Sequence, residues 1–126
     1  KEDGSIQVLL WNYTKPEQKS HNMDYFTWDL KPEEAEGAAV SLRGLPSGAF
    51  RLSVCQVGYG VNDVYTFYKQ GNYTDLPTRE EEERLRRRAD GSPIRTELVE
   101  IPESGEWKME ISLRENDVYF LTLEPR

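Results

Sequence analysis

The groups from which this chain could build acid/base or nucleophilic chemistry are 23 acidic side chains, one histidine, His21, and one cysteine, Cys55. Acid/base hydrolysis needs two carboxylates held at a fixed separation. With so many acids some pair will meet any separation by accident. The one dense cluster, Glu80 to Glu83, opens a helical pattern and is accounted for by capping and solubility. Cys55 lies in a strand pattern with no basic neighbour, and His21 lies far from it in a polar stretch, so neither resembles an activated nucleophile and its base. A single thiol and a single imidazole cannot supply a zinc tetrad, and one cysteine cannot form an internal disulfide. No catalytic residue, metal site or cofactor is expected within this chain.

The aromatic residues carry a richer signal, because Trp and Tyr can stack on sugar faces while their N–H and O–H groups bond hydroxyls. Trp11, Trp28 and Trp107 all fall in strand patterns and are expected in the core. Tyr13, Tyr59, Tyr65, Tyr68 and Tyr73 are balanced between core edge and exposed surface. Asn12-Tyr-Thr14 and Asn72-Tyr-Thr74 match the glycosylation acceptor, but a three-residue pattern arises often by chance and decides nothing.

The elements that must position these groups are mostly strands. Trp107, Met109, Ile111 and Leu113 alternate with Lys108, Glu110 and Ser112, a period-two run with one apolar face. Arg114-Glu-Asn-Asp117 and a second apolar run, Val118 to Leu123, follow it, which predicts a β-hairpin. A second hairpin is predicted from Val40–Leu42 and Phe50–Val54, joined by Gly44-Leu-Pro-Ser-Gly48. The nearly unbroken apolar run from Ile6 to Tyr13 suits a central strand buried on both sides. Tyr25 to Leu30 and Ile94 to Ile101 are weaker strand candidates. One helix is predicted between Thr78 and Ala89. Thr78 and Glu81 have capping-box spacing, and Glu80–Arg84, Glu82–Arg86 and Glu83–Arg87 are i,i+4 pairs in the favourable order. Its only apolar residues, Leu85 and Ala89, predict a helix lying on a surface.

At 126 residues and 14.7 kDa the chain fits one domain and is about half of what a (β/α)₈ barrel of roughly 250 residues requires. Hydrophobic residues at 37% and 14 aromatics make a core feasible. A net charge of -7 opposes nucleic acid and anionic membrane as partners. The expected fold is all-β: an antiparallel β-sandwich of immunoglobulin or fibronectin type, about seven short strands with one short inserted helix, as a single domain over 1–126. The start at Lys1, without Met or a signal-like apolar run, suggests a piece of a longer polypeptide.

Four segments carry a family resemblance: Val8-Leu-Leu-Trp-Asn-Tyr13, Val40-Ser-Leu-Arg-Gly-Leu45, Gly60-Val-Asn-Asp-Val-Tyr-Thr-Phe-Tyr68 and Leu113 to Pro125. Together they resemble the C-terminal β-sandwich domain of glycoside hydrolase family 39, which includes β-xylosidases and α-L-iduronidases. The family's His-Ser-Asn, Tyr-Thr-x-aromatic, Gly, Pro-Thr and glutamate-rich helix would correspond to Asn62, Tyr65, Thr66, Tyr68, Gly71, Pro77-Thr78 and Glu80 to Glu83. The family's His-Ser pair is replaced by Gly60-Val61. Its acid/base residue lies in an Asn-Glu-Pro motif on the barrel, a tripeptide this chain lacks, so neither catalytic glutamate carries over. The resemblance implies a non-catalytic accessory domain bracing a catalytic (β/α)₈ barrel of the same polypeptide and shaping its active-site rim, with Tyr59, Asn62, Tyr65, Tyr68 and Tyr73 as candidate interdomain or sugar contacts. Its competitors are a carbohydrate-binding module and a subunit-contact domain of a homo-oligomer, told apart by whether large aromatics lie in the core, on an exposed platform or on a flat patch.

Overall fold

The computed structural model describes residues 3–14, 31–71 and 76–126. Its elements run β1 (Ile6–Trp11), β2 (Glu34–Ala35), β3 (Ala39–Leu42), β4 (Gly48–Val57), α1 (Val64–Gln70), α2 (Arg79–Arg88), β5 (Arg95–Ile101), β6 (Trp107–Glu110), β7 (Leu113–Arg114) and β8 (Val118–Pro125). An antiparallel four-stranded sheet in the order β1-β8-β4-β5 forms one layer, and the pairs β2-β7 and β3-β6 form the other. This is an all-β sandwich with a small helical insert between β4 and β5.

Alternation along the strands builds the core. Phe50, Leu52 and Val54 from β4 meet Tyr119, Leu121 and Leu123 from β8, with Ile101 from β5, Val40 from β3 and Met109 from β6 closing the cluster. Ile6, Val8 and Leu10 pack on its edge from β1, as does Trp107 from β6.

Both predicted hairpins are corrected. The run Trp107–Leu113 does not pair with Val118–Leu123: β6 pairs with β3 and β7 with β2, whereas β8 pairs with β1 and β4. Residues 114–117 thus carry the chain from one layer to the other. In the same way β3 and β4 belong to different sheets, so Gly44–Gly48 is also a crossing between layers. Alternation reports which face of a strand is buried, and both members of such a pair bury a face against the same core without touching edge to edge.

The first strand is corrected too. β1 is an edge strand, not a central one, and its burial alternates so that Leu9 and Trp11 point away from the core. Trp11 is 62% exposed, which contradicts its expected place in the core. The strand candidate Tyr25 to Leu30, with Trp28 and His21, lies outside the described residues.

The predicted helix is present as α2. Thr78 caps it, with Glu81 N–H donating to Thr78 Oγ1 and Thr78 N–H donating to Glu81 Oε2 at 2.7 Å. That cap holds the Glu81 carboxyl below its ordinary pKa, chiefly through the backbone hydrogen bond from Thr78. Arg86 and Arg87 reach Glu82 and Glu83 as the spacing predicted, while Arg84 reaches Glu81 at 4.0 Å. A second helix, α1, was not expected.

Candidate functional site

The Gly58-to-Gly71 segment leaves the end of β4, and its geometry is set by side chains that fold it back on itself. Gly58 and Val61 form an isolated bridge, with N–H···O distances of 3.0 and 2.9 Å. Asn62 adopts a left-handed backbone, φ 48°, a conformation in which Asn is among the best tolerated side chains. Its Nδ2 donates to Gln56 O at 2.9 Å and to Ser92 O at 3.2 Å, and its Oδ1 accepts from Gly91 N–H at 3.2 Å. Asn62 therefore ties the end of β4 to the turn that follows α2. Its amide is occupied in holding the segment together.

Asp63 then caps α1, accepting from Tyr65 N–H at 3.0 Å and from the Thr66 hydroxyl. Phe67 is the buried apolar residue that anchors this helix, with the Arg88 guanidinium of α2 3.7 Å above its ring. Leu85 is the buried anchor of α2 and shares a shallow cleft with Phe67 and Arg84. Of the predicted contact residues, Tyr65 is exposed on α1 beneath Lys69, whose ammonium is 6.0 Å from its ring centre. Tyr59 and Tyr68 are half-buried, and Tyr73 lies outside the described residues. Tyr59, Tyr65 and Tyr68 thus sit on a turn and a short helix that follow the end of β4. The sequence sign for α1 was Asp63 directly before the run and Gly71 directly after it. The β-branched and aromatic composition of Val64-Tyr-Thr-Phe-Tyr68 masked that sign.

Beneath this segment lies the best-organised polar cluster. Asp117 is completely buried, and its carboxylate accepts from Gln56 Nε2 at 2.9 Å, Arg114 N–H at 3.1 Å, Arg114 Nε at 2.9 Å and Arg114 Nη2 at 3.0 Å. The hydrogen bonds from Arg114 to Asp117 raise the Arg114 pKa further. Burial pushes the Tyr119 phenol up, with the Asp117 charge adding to it, and its hydroxyl donates to Ser112 O at 2.7 Å. Both carboxylate oxygens of Asp117 accept from partners inside the domain, and the side chain is 0% exposed. The cluster locks the crossing between β7 and β8 to the end of β4.

Gly58 completes that lock. A Cβ at this position would stand 2.9 Å from Asp117 Cγ and closer still to Oδ1, with Arg114 Nη2 at 3.4 Å. Gly58→Ala is expected to lower stability by about 1–3 kcal/mol through overpacking. In an Asp117→Ala background the same change should cost clearly less, because the obstructing carboxylate is gone. Urea midpoints of the two singles and the double measure this, and equal costs in both backgrounds would place the strain elsewhere.

Several acidic residues are engaged in structure of this kind. Glu81 is in a cap, Glu82 and Glu83 pair along α2, and Glu124 accepts from Arg51 at 2.6 Å across the outer face of the sheet. Among the described residues, no three His, Cys, Asp or Glu side chains gather as a metal ion would require.

Neither a family model nor a curated protein sequence matches the chain. Solved structures do. The GH39 enzyme from Xanthomonas axonopodis pv. citri matches 98% of this chain with a TM-score of 0.85 and 26% identity. A monomeric beta-xylosidase from Caulobacter crescentus CB15 matches 99% with a TM-score of 0.79 and 24% identity. A bacterial orthologue of human α-L-iduronidase matches 73% with a TM-score of 0.55 and 12% identity, a likeness of fold alone. The chain spans 24% and 25% of the lengths of the first two. The likeness to the family 39 sandwich read from sequence segments thus extends to the whole described fold.

Proposed function

We propose that this chain is a non-catalytic accessory β-sandwich of a family 39-like glycoside hydrolase, following a catalytic (β/α)₈ barrel in the same polypeptide, bracing that barrel and contributing to its active-site rim. The observation that carries this reading is the agreement of fold over 98% of the chain with one quarter of a GH39 enzyme at 26% identity. The engagement of Glu81, Glu82, Glu83, Asp117 and Glu124 in caps and ion pairs supports the non-catalytic part, since a hydrolytic pair must face a substrate. Tyr59, Asn62, Tyr65, Tyr68 and Tyr73 are assigned to the rim segment, where Asn62 acts by shaping the turn and the tyrosines supply contact surface.

Two measurements test the reading. The gene upstream of Lys1 is expected to encode a barrel-length segment carrying Asn-Glu-Pro, and a gene without one overturns the assignment. The isolated chain is expected to leave aryl xylosides, arabinosides and iduronides unhydrolysed at high protein concentration. Turnover abolished by changing one carboxylate of this chain would make it catalytic in its own right.

A further inference from the structure

The outer face of the four-stranded sheet is divided into two unlike halves. Its register places Gln7 beside Thr122, Ser53 and Thr96 in one row, with the Arg51–Glu124 ion pair beyond it. The next row holds Leu9, Phe120 and Cys55, and the one after it Trp11, Val118 and Val57. These two rows span three adjacent strands, roughly 10 Å across at ordinary strand spacing, and contain no charged group. Leu9 is 58% exposed, Trp11 62% and Phe120 37%, and Val57 and Val118 are exposed beside them. A contiguous apolar area on a rigid sheet, in a chain of net charge -7, marks an interaction surface.

We infer that this apolar half-face, centred on Leu9, Trp11, Val118 and Phe120, is the surface on which the sandwich docks against the catalytic barrel of its own polypeptide. The inference rests on the function proposed above and specifies the face that does the bracing. Three observations select this occupant. About three-quarters of the matched GH39 chain lies outside the region this chain covers, so a large tethered neighbour is available at high effective concentration. The two rows offer side chains suited to a dry, permanent interface, and the polar groups needed to bond sugar hydroxyls are confined to the other half of the face. Val57 also leads directly into Gly58 and Tyr59, so the docking face is continuous with the segment assigned to the rim.

Cys55 lies beside Phe120 at the β4 end of its row and is itself partly exposed, which makes it a reporter. In the full-length polypeptide, labelling of Cys55 by a thiol reagent, resolved by peptide mass, should be at least tenfold slower than in Trp11→Arg or Phe120→Glu variants, whose charge would undock the face. Substituting the polar half, Ser53→Glu or Thr122→Glu, should leave the rate unchanged. Amide exchange at Leu52 and Leu121, read in the same samples, verifies that the sandwich remains folded in each variant. Rapid labelling in the wild-type full-length chain, or protection indifferent to Trp11→Arg and Phe120→Glu, overturns the inference. Protection that weakens on dilution also overturns it and assigns the face to a second copy. An upstream gene without a barrel defeats the proposed function itself, whereas a barrel present with Cys55 unprotected defeats only the choice of face.

Discussion

Asp117→Ala is expected to destabilise the domain by about 3–5 kcal/mol, a large share of what a domain this size has to lose. The carboxylate is fully buried and satisfies two Arg114 guanidinium donors, the Arg114 N–H and the Gln56 amide. Alanine removes the acceptor and leaves these donors in place, and the partly buried guanidinium loses its hydrogen-bonded counter-charge. The cost follows from leaving partners unpaired, so it exceeds the net worth of the ion pair when intact. Asp117→Asn keeps the shape and one acceptor oxygen while losing the charge, and should fall between wild type and alanine. Urea unfolding measures the series. A loss below about 1 kcal/mol for Asp117→Ala would mean that water or a repacked side chain replaces the carboxylate, and that the cluster does not hold the crossing between β7 and β8.

Leu52→Ala should cost about 2–5 kcal/mol by the loss of buried methyl groups and the cavity they leave. Leu52 is 0% exposed, paired with Leu123 on one side and Glu97 on the other, at the centre of the four-stranded sheet. The neighbouring strand supplies an internal control. Leu98 on β5 is exposed on the outer face opposite Arg51, and Leu98→Ala should stay within about 0.5 kcal/mol of wild type. Both substitutions remove the same atoms, so the difference isolates burial. A shift of the urea midpoint at Leu52 with an unchanged slope is expected. Similar midpoints for the two variants would be incompatible with the described sheet.

What was legible in the sequence is what depends on neighbours along the chain. The alternation in Phe50–Val54 and Trp107–Leu113 assigned strands and their buried sides, since side chains on a strand point to opposite faces with period two wherever the strand ends up. The Thr78–Glu81 cap and the Glu–Arg pairs placed α2 because all of those interactions close within one helical turn. The segments Val8–Tyr13 and Gly60–Tyr68 carried the family likeness in the same local way.

Partners distant in sequence were decided by the tertiary structure. Alternation says that a strand has an inner face and is silent about which edge lies beside it, so both hairpins were misassigned and β1 was placed at the centre of a sheet whose edge it forms. For the same reason Trp11 was expected in the core: its hydrophobicity does not say on which side of the sheet it falls, and the pairing of Trp11 with Val118 puts it outside. The Asp117 cluster joins residues 61 positions apart, Gln56 and Asp117, and Gly58 beside it matters only because folding brings that backbone against the carboxylate. Local sequence therefore determined strands, faces and the capped helix, through interactions that close within a few residues. The packing of two layers determined strand order, the buried ion pair and the apolar half-face, because each of these exists only where distant segments meet.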